Sequence, residues 1–285
     1  MKKKYIIAVI VILFVVIDLS VLLYPTVSDY INSKNQSRAL LRYIDDVAGM
    51  DGANTQKLLE AAREYNKELQ SDPNRFDFTE EETKKYKDEL NVGNGIMGVL
   101  EIDKINVRLP IYHGTDEGVL QVGLGHLPGS SLPVGGIGTH TVITGHRGLP
   151  SSKLLTDLNK MAEGDTFVIY AMGETLLYQV DQIRTVNPEE LQNLNIDPEK
   201  DYCTLVTCTP YGINTHRLLV RGHRIENTAA RSAGTGWETI SAGAGLLDKI
   251  NIILIFMVPV LPVLTIYFII RSVKIRKQKG GILKR

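Results

Sequence analysis

The sequence predicts a mainly β fold, a closed barrel or a sandwich, preceded by a helical region and set between two apolar segments. Three observations carry this. Between Ile96 and Ile225, short runs rich in β-branched and aromatic residues alternate with Gly, Pro, Asn and Asp. Over residues 30–69 the apolar positions recur at helical spacing instead. Near both ends lie apolar stretches close to the roughly 20 residues that cross a bilayer core as a helix.

Residues 1–25 read as a membrane anchor or signal segment. Lys2-Lys3-Lys4 precedes an apolar run over 5–24, broken by Asp18 and Ser20. A basic start and an apolar core also fit a cleaved signal peptide, although no small-x-small site precedes Tyr24. Asp18 would cost about 2.5–3.5 kcal/mol at mid-bilayer on insertion scales, and less near an interface.

Residues 26–92 read as a helical region. Leu40, Ile44 and Val47 share one face, and Leu58, Ala62, Tyr65 and Leu69 another, with Asn54 or Thr55 as an N-cap. A loop over 72–78 follows from the turn chemistry of Asp72-Pro73-Asn74, and a charged stretch over 79–90 leads to Gly93-Asn94-Gly95.

Residues 93–226 carry the β-rich unit. Strands are expected at 96–102, 107–112, 139–144, 166–171, 175–186, 202–208 and 216–221, with brief helices at 117–124 and 152–158. About seven or eight strands with few helical intervals give the barrel or sandwich. Residues 227–249 form a linker, 250–271 a second span that tolerates Pro259 and Pro262, and 272–285 a basic tail. Cations flank the outer side of both apolar segments, so the positive-inside rule puts both termini in the cytoplasm and the β-rich unit outside, at the cell membrane.

Lys plus Arg and Asp plus Glu both number 32, so no cation excess favours nucleic acid. Two cysteines make no disulfide scaffold. Cys203 and Cys208 share one predicted strand, about 16 Å apart, whereas a disulfide needs Cα atoms within about 7 Å. Their odd spacing also points them to opposite faces, which disfavours shared metal binding. Cys203 reads as a core residue. Cys208 ends the strand before Thr209-Pro210-Tyr211-Gly212, where its sulfur can face a cleft.

A thiol needs a cation or imidazolium beside it to act near neutral pH. The six histidines are His113, His126, His140, His146, His216 and His223. His146 stands on a Gly-flanked turn, Thr-Gly-His-Arg-Gly, directly after strand 139–144; His223 sits in a second Gly-His-Arg beyond the core of the last strand. The residues alone do not choose between them, nor between Arg217 and Arg221, either of which a hairpin would set beside the sulfur.

The string Thr204-Leu205-Val206-Thr207-Cys208 resembles the Thr-Leu-x-Thr-Cys signature of sortases. With it occur Thr-Gly-His146-Arg-Gly upstream and His-Arg217-Leu-Leu-Val-Arg-Gly downstream, in the sortase order. The resemblance covers 95–225. It implies a closed sortase barrel with Cys208 as nucleophile, His146 as acid and base, Arg217 as oxyanion partner, and no metal or organic cofactor. The run from Cys208 to Arg217 and the second apolar segment are most similar to class C, the pilin-polymerising sortases.

That class carries a lid with an Asp-Pro-aromatic motif. Here Asp72 and Pro73 are present, Asn74 replaces the aromatic, and Phe76 or Phe78 could fill the groove. The implied substrates are pilins or surface proteins with a Leu-Pro-x-Thr-Gly-like signal, cut between Thr and Gly and joined to a pilin lysine amine. Three other readings stand beside this one: a housekeeping sortase attaching proteins to peptidoglycan, a thiol redox protein, and a non-catalytic membrane-tethered binding module.

Overall fold

The computed structural model describes residues 2–226, together with Tyr267 and Arg271. Apart from those two positions, the expected linker, second span and basic tail lie outside the described residues.

The expected anchor and the first helical stretch form one helix, α1 (Lys2–Gly49), with Pro25 inside it. The first glycine of the chain is Gly49, so no residue with αL freedom ends the helix earlier. Its segment from Leu13 onward is long and apolar enough to cross a membrane by length and composition. Lower down, Leu40 and Tyr43 are buried against Ile96, Val99 and Tyr170. The Tyr43 hydroxyl donates to Met97 O at 3.0 Å and accepts from Met172 N at 3.1 Å, satisfying a polar tip in an apolar seat.

α2 (Gly52–Gln70) starts earlier than the expected cap at Asn54 or Thr55, after Asp51, whose side chain makes no capping bond. Its buried face is Leu59, Ala62, Tyr65 and Leu69, with Leu58 only partly buried. The charged stretch 79–90 folds as a helix, α3 (Glu80–Asp88), that apolar periodicity could not show because Tyr86 is its one buried residue. A capping box starts it: Thr79 Oγ1 accepts from Glu82 N at 3.2 Å, and the Glu82 carboxylate accepts from Thr79 N at 2.8 Å.

Eight strands close into a barrel: β1 (Ile96–Ile102), β2 (Val107–His113), β3 (Leu124–His126), β4 (Thr139–Thr144), β5 (Thr166–Ala171), β6 (Glu174–Val186), β7 (Asp201–Thr209) and β8 (His216–Arg224). Their order round the barrel is β1-β2-β3-β4-β7-β8-β6-β5, with β1 closing on β5. Two neighbouring pairs, β2 with β3 and β4 with β7, are parallel. The three-residue β3, flanked and interrupted by glycines, was too short to read from the sequence. α4 (Glu117–Val122) stands where a helix was expected. The helix expected at 152–158 does not form; turns there lead to a 3₁₀ turn at Leu158–Lys160, and Leu154 takes a left-handed φ of 37°, which interrupts an α-helix. β8 is longer than expected because the thirteen-residue β6 pairs with it as far as Arg224, so His223 lies inside the strand.

The barrel interior holds the main core, including Phe167 stacked on Tyr178 at 5.5 Å, and Cys203. A second apolar cluster sits outside the barrel wall: Val142, Val186, Leu194 and Leu219, with Phe76, Leu127 and Val206 packed on it.

Candidate active site

Alternation along β7 decides which cysteine can react. Cys203 and Leu205 point into the core, while Val206 and Cys208 lie on the outer wall, in register with Leu219 and Arg217 of β8. Cys203 is fully buried, and burial pushes its thiol well up. Cys208 is partly exposed. The two thiols face opposite sides of one strand, so the redox reading has no disulfide to use.

Cys208 and Arg217 are Cα partners across the β7–β8 hairpin. The Arg217 guanidinium donates to Asn214 O at 3.3 Å and His216 O at 3.2 Å, both carbonyls of its own turn. Among the described residues no carboxylate pairs with it, which leaves its charge available to a developing oxyanion.

His146 reaches this edge by the parallel pairing of β4 with β7. Thr144 is the register partner of Val206, two residues before Cys208, and His146 follows Thr144 by two residues in the loop beyond the paired strands. The loop is tied there: Gly145 N donates to Val206 O at 3.1 Å, and Thr207 Oγ1 donates to Gly145 O at 2.8 Å. Arg147 spans from the loop to β7, donating to Thr156 O at 3.2 Å and Thr209 Oγ1 at 3.1 Å. Gly148 has φ +84° and lies under the Tyr211 ring, which a Cβ would meet at 2.9 Å. The Gly-His-Arg-Gly turn and the Cys-Thr-Pro-Tyr turn thus pack on each other.

Other histidines brace the fold. His140, buried on β4, donates from Nδ1 to Asn195 O at 2.8 Å and accepts from Thr204 Oγ1 at 2.7 Å. Burial pushes this imidazole down to about 4. His126, fully buried, donates from Nε2 to Ser131 O at 2.9 Å and accepts from the Tyr86 hydroxyl at 3.0 Å, and it too is pushed down to about 4 by burial. Both are neutral structural histidines. His216 is exposed, and His223 lies 3.8 Å from Asp181.

The expected lid divides. Phe76 packs on the outer apolar cluster, on the same wall as Cys208. Phe78 faces elsewhere, edge-on to Tyr86 at 6.0 Å, as part of the main core packing. Asp72 and Pro73 sit on an exposed turn, where the Asp72 carboxylate accepts the Asn74 N–H at 2.8 Å. The contacts that hold the segment down come from a residue the sequence reading passed over. Arg75 is buried, donates to Gly129 O and Leu194 O, each at 2.9 Å, and lays its guanidinium 4.4 Å from the Phe76 ring centroid. Nothing in its local pattern marked it, because both carbonyls come from distant loops. Glu117, 3.5 Å from His146, was equally unmarked. Among the described residues no group of three or more His, Cys, Asp or Glu is arranged to hold a metal ion.

A sortase-domain family model matches residues 100–225. The crystal structure of sortase C1 from Streptococcus agalactiae is 52% identical and covers 67% of this chain and 99% of its own, with a TM-score of 0.65. The chain belongs to the sortase family. Sortase C of Streptococcus pneumoniae, described for its catalysis and pilin substrate specificity, is 44% identical over 67% of this chain and 98% of its own, with a TM-score of 0.61. Sortase D of Bacillus subtilis is 28% identical over 131 residues, 45% of this chain and 63% of that protein. The eight-stranded barrel is therefore a sortase barrel, its structural neighbours include class C members, and the family is one of cysteine transpeptidases.

Proposed function

We propose that this sortase is a membrane-anchored transpeptidase that polymerises pilins, with Cys208, His146 and Arg217 as its catalytic residues. The observation that carries the assignment is the register: Cys208 and Arg217 are Cα partners, and the His146 loop is bonded to the strand that bears Cys208. The class C neighbours support the pilin substrate, and the long apolar helix supports the anchor. In this reading both termini lie in the cytoplasm and the barrel acts on the outer face of the cell membrane.

The Cys208 thiolate attacks the carbonyl of Thr in a Leu-Pro-x-Thr-Gly-like signal, and Arg217 stabilises the oxyanion. As the C–N bond to Gly breaks, His146 gives its proton to the leaving amine, and a thioester to Cys208 remains. A pilin lysine amine then attacks that thioester, loses a proton to His146, and releases the thiolate as the isopeptide bond forms. An ordinary thiol and an ordinary imidazole share the ion-pair form in only about one molecule in a hundred, so turnover depends on what surrounds them.

The segment 72–78 acts as a lid in this proposal, with Phe76 as the plug and Arg75 as the latch. Asp72 and Pro73 shape the turn that delivers them. The test is to incubate the full chain with a Leu-Pro-x-Thr-Gly peptide, with and without Phe76→Ala, and to seek a thioacyl adduct by mass spectrometry. An adduct on Cys208 that is lost in Cys208→Ala is expected. No adduct even with Phe76 removed sinks the assignment.

A further inference from the structure

Glu117 opens α4, and its Oε1 lies 3.5 Å from Nε2 of His146. That nitrogen is shielded from solvent and makes no hydrogen bond, so the pair is a charge contact rather than an aligned bond. The carboxylate is held in place. One turn along, Gln121 Nε2 donates to the same Oε1 at 2.6 Å.

The helix itself is braced at its other end. Gln36, buried on α1, donates through Nε2 to Val122 O at 3.0 Å and to Ser152 Oγ at 3.3 Å. Val122 ends the helix that carries Glu117, and Ser152 belongs to the loop that follows His146. One side chain of α1 therefore ties the carboxylate's helix to the histidine's loop.

The group shown in contact with this imidazole is Glu117 on α4. The other charged and titratable groups of this edge are Cys208 on β7 and Arg217 on β8, paired across the hairpin to which the histidine loop is bonded, and Arg147 on that loop. Arg147 is turned to Thr156 O and Thr209 Oγ1, so its charge is directed along the loop. Among the described residues, the one carboxylate in contact with His146 is Glu117.

We propose that Glu117 is a positioning residue for His146, fixing its imidazole and favouring the imidazolium that protonates the leaving amine. Glu117 is held below the usual carboxylate range by the Gln121 hydrogen bond and by the charge of His146. Its side chain is 70% exposed, which screens the pair. An exposed pair of this kind is worth about threefold at most in the step it supports. The kinetic consequence rests on the transpeptidase reading; the ion pair does not.

The experiment is a pH titration by NMR of full-length protein labelled with ¹⁵N-histidine in detergent micelles. The His146 signals are assigned by their loss in His146→Asn. Glu117→Gln should move the His146 midpoint down, and Glu117→Asp, which keeps the charge, should move it less. The difference between wild type and Glu117→Gln should shrink in 1 M NaCl, where the Debye length is about 3 Å. Equal midpoints in wild type and Glu117→Gln would overturn the proposal, whether or not the protein cleaves a sorting peptide. If the peptide is cleaved, Glu117→Gln should lower the alkaline limb of Cys208 acylation about threefold with KM unchanged.

Discussion

Two cysteines on one strand meet opposite fates here because a β-strand alternates its faces. Cys203 packs inside the barrel, and Cys208 stands on the outer wall at the strand's end. Alternation leaves Arg217 and Arg221 on one face of β8, and register separates them: Arg217 is the partner of Cys208, whereas Arg221 pairs with Thr204 and is engaged bidentately by Asp181 at 3.0 Å. A committed guanidinium cannot also serve a transient oxyanion. Arg217→Lys keeps a cation but loses the planar donor fork. It should lower kcat for peptide cleavage by about 10²–10³-fold, the cost of losing one oxyanion donor, with a smaller change in KM. Steady-state kinetics on a fluorogenic Leu-Pro-x-Thr-Gly peptide would measure this, and a wild-type kcat in the variant would remove Arg217 from the oxyanion role.

Among the elements, the lid segment and the loop beneath it are the most informative pair. Gly129 has φ +84°, and a Cβ there would meet Arg75 O at 2.1 Å and the Phe76 ring at 2.7 Å. The backbone of 75–76 therefore rests directly on a glycine, which only that residue allows. Gly129→Ala should lift the segment from the wall without touching Cys208, His146 or Arg217. Alkylation of Cys208 by a small thiol reagent, followed by mass spectrometry, should speed up several-fold while Cys203 stays unmodified, since opening costs less once its contacts are strained. Phe76→Ala should act in the same direction with no strain in the barrel. An alkylation rate unchanged in both variants would show that the segment does not cover the thiol. The turn chemistry of Asp72-Pro73-Asn74 marked this loop in the sequence, yet the residue that fastens it, Arg75, was not legible. Its carbonyl partners Gly129 and Leu194 lie 54 and 119 residues away along the chain.

For the whole molecule, the titration of buried histidines ties stability to pH. His126 and His140 are both pushed from 6.5 down to about 4 by burial. The unfolded chain therefore binds protons below about pH 6.5 that the folded barrel refuses until about pH 4. Their contribution is complete above pH 6.5 and is lost as pH falls towards 4, by up to ~1.4 kcal/mol per pH unit for each histidine. The urea midpoint should drop between pH 7.5 and pH 5, and His140→Gln should shallow that dependence. An equal midpoint at the two pH values would exclude the effect. At this scale, too, α1 runs as one helix, with Pro25 inside it, from the membrane-competent segment to the barrel, where Leu40 and Tyr43 pack on Ile96, Val99 and Tyr170.

Strand content, the apolar ends and the three ordered motifs were all written in the chain, because alternation, apolar length and turn residues are local properties. The sequence by itself thus determined a β-rich sortase unit and marked Cys208 as its candidate nucleophile. Tertiary structure alone decided the rest. Register made Arg217 the partner of Cys208 and bonded the His146 loop to the same strand. Closure of the barrel created an outer wall, with Phe76 rather than Phe78 lying on it. Packing of α1 and α4 brought Gln36 and Glu117 to the histidine loop. Each of these contacts joins residues far apart along the chain, so no window of sequence contains both partners.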